Sequence, residues 1–214
     1  MNVTIIGAGN MGRGIAIRLI SGGHNVTIMD RHPEKAKSLA EQLTANAKNG
    51  AKIQGVALGG PINDEIVILA IRYGVTGEVI EYLGAKLDGK TVIDITNPLN
   101  ATYDGMAVAP GTSAAEEIAK KLPTNAKVFK AFNTTFATTL ATGQVDNKPL
   151  DVFIAGDDAD AKANITQLVN DGGLHAIDAG PLSRARQLEA IGFLGITLQG
   201  TLGTSFKSAW KIVS

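Results

Sequence analysis

The chain has 214 residues, 44% of them apolar and 19% charged, a globular balance long enough for one domain with a substantial core. Lys+Arg and Asp+Glu both number 20, so no overall basic field exists to draw nucleic acid or an anionic membrane surface. Cysteine is absent, which excludes disulfides and thiolate metal sites; with no basic leader and no apolar run of membrane-spanning length, the sequence reads as soluble and cytoplasmic.

The run Val3–Ile6, ended by glycine, predicts a buried parallel strand. Met11, Ile15 and Leu19 then fall on one stripe of a helix, which Gly22 and Gly23 stop. Val26–Met29 predicts the second strand, and Pro33 suits the first turn of a helix carrying Ala36, Leu39, Ala40 and Leu43. Ile53–Leu58, Ile66–Ile71, Thr91–Ile95 and Lys127–Phe132 predict further strands. Val75, Val79, Ile80, Leu83 and Leu87 mark the helix between the second and third of these. Ser113 and Glu116 have capping-box spacing, in which hydroxyl and carboxylate each satisfy the other residue's amide, ahead of a helix that ends before Pro123.

The stretch DVFIAGDD (151–158) reads as a strand and a helix cap, followed by a helix with Ala161, Ile165, Leu168 and Val169 inward. His175–Asp178 predicts a last short strand. Strands alternating with helices imply parallel βαβ units, and so an α/β, Rossmann-type doubly wound parallel sheet forming one domain over residues 1–214. From about residue 180, Leu188, Ile191, Leu194, Leu198 and Leu202 interleave with Gly192, Gly195, Gly200 and Gly203, predicting one or two closely packed C-terminal helices. An exposed stripe there, extended by Phe206 and Trp210, implies a homodimer through these helices; packing on the chain's own sheet is the alternative.

Gly7, Gly9 and Gly12 form Gly-x-Gly-x-x-Gly between the first strand and the first helix, with Asp30 ending the second strand. In that context the first glycine permits a tight turn, the second admits a diphosphate to the backbone, and the third lets helix and strand pack closely. The anion lies on free amides at the helix N-terminus. Asp30 and Arg31 point in opposite directions: the carboxylate favours NAD through the ribose hydroxyls, while Arg31, His32 and Lys35 favour a 2′-phosphate. A pairing of Asp30 with Arg31 would leave the pocket indifferent, so the residues alone leave NAD or NADP open.

The segments IGAGNMGRGIAIRL, SGGHNVTIMDRHPEKA, KAFNTTFA and DAGPLSRARQLE resemble the NADP oxidoreductase, coenzyme F420-dependent family. They are also similar to the cytosolic reductase domain of the six-transmembrane ferric reductases. The resemblance spans the whole chain. It implies a Rossmann domain that binds NADP(H), with a C-terminal helical portion that completes a cleft for coenzyme F420 or a flavin. It places Gly7, Gly9, Asn10, Met11 and Gly12 in the diphosphate loop, Arg31 on the 2′-phosphate and Lys35 as a second cation. It sets Ile71, Arg72 and Tyr73, then Asn97 and Pro98, beside the nicotinamide ribose. Two positions depart from the family's F420-reducing members, which commonly carry serine at Asp30 and histidine at Asn133.

Hydride transfer between two stacked cofactors needs proximity and a dry gap more than an acid–base pair, and no such pair is evident. His24, His32 and His175 have no spacing that suggests catalysis or a metal. The polar cleft candidates are Asn97, Asn133, Thr134 and Thr135, all after strands at the carboxyl edge; ordinary turn chemistry is the competing reading of each. Ser183, Arg184 and Arg186 are either an anion subsite or a solvated helix start. The favoured function is hydride transfer between NADP(H) and a deazaflavin or flavin. The alternatives are an NADH-using ferric or flavin reductase and a nucleotide-sensing module without turnover. A hydroxyacid-type dehydrogenase is disfavoured, because the stretch after Leu150 is too short for its helical second domain.

Overall fold

Alternating apolar residues on the early strands face opposite ways and nucleate two separate cores. Val3 and Ile5 of β1 (Asn2–Ile6) join one cluster, and Ile6 joins the other. The computed structural model describes residues 1–213. After β1 come α1 (Asn10–Ser21), β2 (Asn25–Asp30), α2 (Pro33–Leu43), β3 (Ile53–Ala57), β4 (Ile66–Leu69) and α3 (Tyr73–Leu83). Then follow β5 (Thr91–Asp94), α4 (Ala114–Lys121), β6 (Lys127–Lys130), α5 (Ala137–Thr142) and the small hairpin β7 (Gln144–Val145) with β8 (Lys148–Pro149). The chain continues with β9 (Asp151–Gly156), α6 (Ala159–Asp171), β10 (His175–Gly180) and α7 (Ala185–Leu202).

Eight strands form one sheet in the order β10-β9-β6-β5-β4-β1-β2-β3. Residues of α1, α2, α5 and α6 fill the core on one face, and α3 and α4 cover the other. This is the doubly wound α/β architecture expected, with α7 as the C-terminal helical addition. The sheet is not wholly parallel. From β3 to β6 every neighbouring pair is parallel, but β9 runs antiparallel to β6, with Phe129 opposite Gly156, and β10 follows β9. The cause is the connection after β6. It has no helical crossover that returns to the starting edge: α5 packs beside α1 and the hairpin follows, so β9 descends from the edge where β6 ended.

Several boundaries differ from those read in the sequence. β4 ends at Leu69: the Ala70 amide makes the last ladder bond, to Ile6 O at 2.9 Å, and the chain then leaves the sheet for α3, capped by Arg72. β6 stops at Lys130 because Phe132 takes a left-handed conformation, φ 61°, while fully buried. A bulky residue there is strained and must be held by its surroundings. The capping box forms only in part. Ser113 Oγ accepts the Glu116 amide at 3.2 Å, but the Glu116 carboxylate turns to the Ser113 hydroxyl and to Arg186. Of Asp157 and Asp158, the second caps α6 through the Ala161 amide, and the first holds the Leu182 amide at 3.0 Å. Among the described residues the tail contains one α-helix, α7. Beyond it Trp210 packs on Gly195, and Lys211 and the Ile212 amide bind the buried Asp151.

Candidate functional site

Gly7 holds φ 112°, and its amide bonds Met29 O at 2.7 Å, so β1 turns sharply into α1. A Cβ on Gly12 would collide with the Gly7 carbonyl, so only glycine lets the helix start this close to the strand. Gly9 differs: a Cβ there would meet nothing. The space beside Gly9 therefore stands open in front of the first turn of α1. The first amide of that turn bonded back to the chain is Arg13 N, to Gly9 O at 2.9 Å. The preceding helix amides, on Asn10, Met11 and Gly12, are the orphan donors of a helix N-terminus, and no acidic side chain occupies the turn. Open space, three amides and the helix dipole fit a diphosphate.

Asp30 stands beside this loop. Its Oδ2 accepts the Ala8 amide at 2.8 Å and its Oδ1 accepts the His32 amide at 3.0 Å. The carboxylate is thus tied to the backbone and not to Arg31. Arg31 and Lys35 are exposed next to it, and His32 lies 3.7 Å from Glu34.

In the loop after β4, Ile71 and Arg72 lead into α3, and Arg72 is exposed at its cap. The Tyr73 hydroxyl donates to Glu117 Oε2 on α4. Burial, then the hydrogen bond and charge of Glu117, push the phenol well above its ordinary range, so it stays a donor. Pro98 is buried, and its carbonyl accepts the Ala107 amide at 2.6 Å.

Asn97 and Asn133 meet. Asn97 Nδ2 donates to Asn133 O at 2.8 Å, and Asn133 Nδ2 donates to Asn97 Oδ1 at 2.9 Å and to Leu188 O at 2.8 Å. Because carbonyls accept only, these bonds orient both amides; Asn133 Oδ1 and Thr96 Oγ1 are buried with no hydrogen-bond partner among the described residues. Thr134 and Thr135 are buried nearby, the Thr135 hydroxyl on Phe132 O at 2.7 Å. A Cβ on Gly192 would collide with the Asn97 carboxamide, so α7 lies directly over the carboxyl ends of β5 and β6.

Sequence reasoning missed the ions beneath. Lys130, Asp94 and Glu189 form a fully buried cluster. A lysine closing a short strand and a glutamate in an apolar helix are the only signals of it. The Arg186 guanidinium, offered by the sequence as an anion subsite, is taken by Glu116 at 2.7 Å; Arg184 and Ser183 lie in the turn before α7. His32 lies at this edge after β2, exposed, with its amide on Asp30. His24 lies against the chain N-terminus and 3.3 Å from Asp171, and burial first of all holds its ring below its usual range. His175 bonds Asp151 at 2.9 Å. A cavity of about 580 Å³ lined by Asn25, Thr27, Thr44, Lys52 and Gln54 is at the opposite, amino-terminal edge of the sheet.

A doubly wound sheet with a glycine-loop helix N-terminus at its carboxyl edge defines a dinucleotide-binding protein. Residues 2–98 match the family described as NADP oxidoreductase coenzyme F420-dependent. The chain is 32% identical over 209 residues to an F420-dependent NADP reductase of Methanothermobacter marburgensis, covering 92% of each. A solved structure of a putative F420-dependent NADP reductase from an Arthrobacter species superposes with TM-score 0.81 at 30% identity, covering 99% of both chains. Metalloreductase STEAP3 of Rattus norvegicus is 29% identical over 189 residues, and there the chain spans only 36% of the relative's length. The chain belongs to the NADP oxidoreductase coenzyme F420-dependent family and is an NADP-dependent oxidoreductase. Among the described residues no helix is long and apolar enough to cross a membrane.

Proposed function

We propose that this chain transfers hydride between NADP(H) and a deazaflavin or flavin ring that lies against the nicotinamide at the carboxyl edge. The observation that carries the reading is the open space at Gly9, in front of the orphan amides of α1, with α7 walling the neighbouring ends of β5 and β6. The amides of Asn10, Met11 and Gly12 hold the diphosphate. Arg31 and Lys35 meet the 2′-phosphate, and Ile71, Arg72, Tyr73 and Pro98 flank the ribose and the nicotinamide. Nicotinamide, when bound, supplies the hydride chemistry; the protein fixes the two rings in contact and keeps water out. Asn97, Asn133 and Thr134 shape the polar floor of that cleft.

The relative from M. marburgensis is named for F420, which supports a deazaflavin, while Metalloreductase STEAP3 supports a reading in which the acceptor is a flavin or a ferric chelate. NADPH oxidation followed with F420, FMN, FAD and ferric chelates in turn separates these, and silence from all of them removes the proposal. Exposed Leu194, Leu202 and Phe206 support a homodimer through the C-terminal part, which the mass in solution tests.

A further inference from the structure

Lys130, at the end of β6, is wholly buried and its ammonium has three acceptors. These are Asp94 Oδ2 at 2.5 Å, Thr96 O at 2.7 Å and Glu189 Oε1 at 2.8 Å. Glu189 does more than pair with it. Its two oxygens also accept the amides of Ala114 at 2.9 Å and Ala115 at 3.3 Å, so one side chain of α7 both caps α4 and reaches β6. Arg186, almost one turn earlier, forks onto Glu116 of α4 at 2.9 and 2.7 Å. Between them, Leu188 O takes the Asn133 amide. The first turns of α7 are therefore bonded to α4, to β6 and to the residues that follow β6 by directional contacts, and Gly192 then sets the helix backbone against Asn97.

Apolar side chains would attach a helix here with less desolvation, so three buried charges need a reason other than adhesion. Charges with fixed hydrogen-bond geometry select one helix position where oily packing tolerates several. We propose that Lys130, Asp94 and Glu189 are positioning residues for the second substrate: their ion cluster fixes where the first turns of α7 lie on the ends of β5 and β6. Placed there, those turns form the wall beside the nicotinamide against which the acceptor ring lies. The inference rests on the hydride-transfer reading above. The cluster touches neither the diphosphate loop nor the Asp30–Arg31 side, so its effect falls on the ring end of the cleft and not on the groups that hold the phosphates.

The test compares wild type with Glu189→Gln, which keeps side-chain size and leaves Lys130 balanced by Asp94. The sole tryptophan, Trp210, reports on α7 without any turnover, because its Nε1 would lie 2.9 Å from a Cβ on Gly195. The expected result is an unchanged far-ultraviolet circular dichroism spectrum and a Kd for NADPH within about threefold of wild type. With these go an acceptor KM raised about tenfold or more and greater acrylamide quenching of Trp210. Gly192→Ala, which pushes α7 outward by a different route, should reproduce the rise in acceptor KM and in Trp210 quenching. Asp94→Asn loosens the same lysine without uncapping α4, moves in the same direction to a smaller extent, and stands in if Glu189→Gln does not fold. Unchanged KM and quenching overturn the proposal, and so does a loss of NADPH affinity that parallels the acceptor effect. If wild type uses no ring acceptor, the functional reading falls; Trp210 quenching then still decides whether the cluster positions α7.

Discussion

Asp30 reaches from the end of β2 to accept the amide of Ala8, inside the glycine loop, at 2.8 Å. This bond makes the residue a brace for the glycine loop. Its second oxygen holds His32 N, which fixes the turn that presents Arg31.

Asp30→Ser therefore has two effects of opposite sign. Losing a charged hydrogen bond to the loop lowers folding stability by about 1–3 kcal/mol. Losing the carboxylate removes repulsion of the 2′-phosphate and an acceptor for the ribose hydroxyls. The expected outcome, read by fluorescence titration with each nucleotide, is a NADPH-to-NADH affinity ratio that rises, with a lower Tm. Arg31→Ala should move the ratio the other way, by roughly 10- to 100-fold, through loss of a charge-assisted contact.

Gly9 and Gly12 should separate binding from folding. Gly9 has φ −83° and ψ −175°, which alanine adopts freely, and its Cβ would meet no protein atom. Gly9→Ala should hold Tm within a few degrees yet weaken NADPH by about tenfold or more, because the methyl enters the diphosphate space. Gly12→Ala collides with the Gly7 carbonyl and should lower Tm itself. Thermal melts with and without NADPH distinguish the two.

Acid stability reports on Asp151. Burial alone would raise its carboxyl, but Lys211, the Ile212 amide and His175 together hold it below the usual range. A depressed carboxyl stabilises the fold above its ordinary value and loses that contribution as pH falls through the folded one. Asp151→Asn should flatten the acid limb of stability against pH, and should speed tryptic cleavage at Lys207 and Lys211 as the tail loosens.

Glu189 has the reverse sign. Burial, the largest influence, lifts its carboxyl above the ordinary 4.5 despite Lys130 and the Ala114 amide. The folded protein then binds a proton that the unfolded chain has released, so this group's contribution falls as pH rises from about 4.5 through the raised value. Urea midpoints should show Glu189→Gln gaining on wild type across that window.

The sequence carried the glycine loop openly, because spacing and flanking strands of Gly7, Gly9 and Gly12 are local facts. Asp30 was legible as the acidic end of β2, but its tie to Ala8 spans 22 positions and no local pattern encodes it. The direction of β9 was hidden for a similar reason: DVFIAG suits either orientation, and the choice lies in a connection that returns at the same edge. α5 was missed because its six residues, three of them threonine, carry little helical signal beyond Gly143 at its end. Glu189 reads as a polar helix residue until α4 and β6 converge on it. Asn133 was flagged from its place after a strand, whereas its bond to Leu188 and the strained Phe132 before it belong to tertiary structure.

The most direct measurement is a crystal structure of the NADPH complex. The account predicts diphosphate oxygens on the amides of Asn10, Met11 and Gly12 beside Gly9, the 2′-phosphate at Arg31, and the nicotinamide between Tyr73 and the Asn97–Asn133 pair. Nucleotide bound instead in the cavity at the amino-terminal edge, or a saturated crystal with the Gly9 space empty, would contradict it.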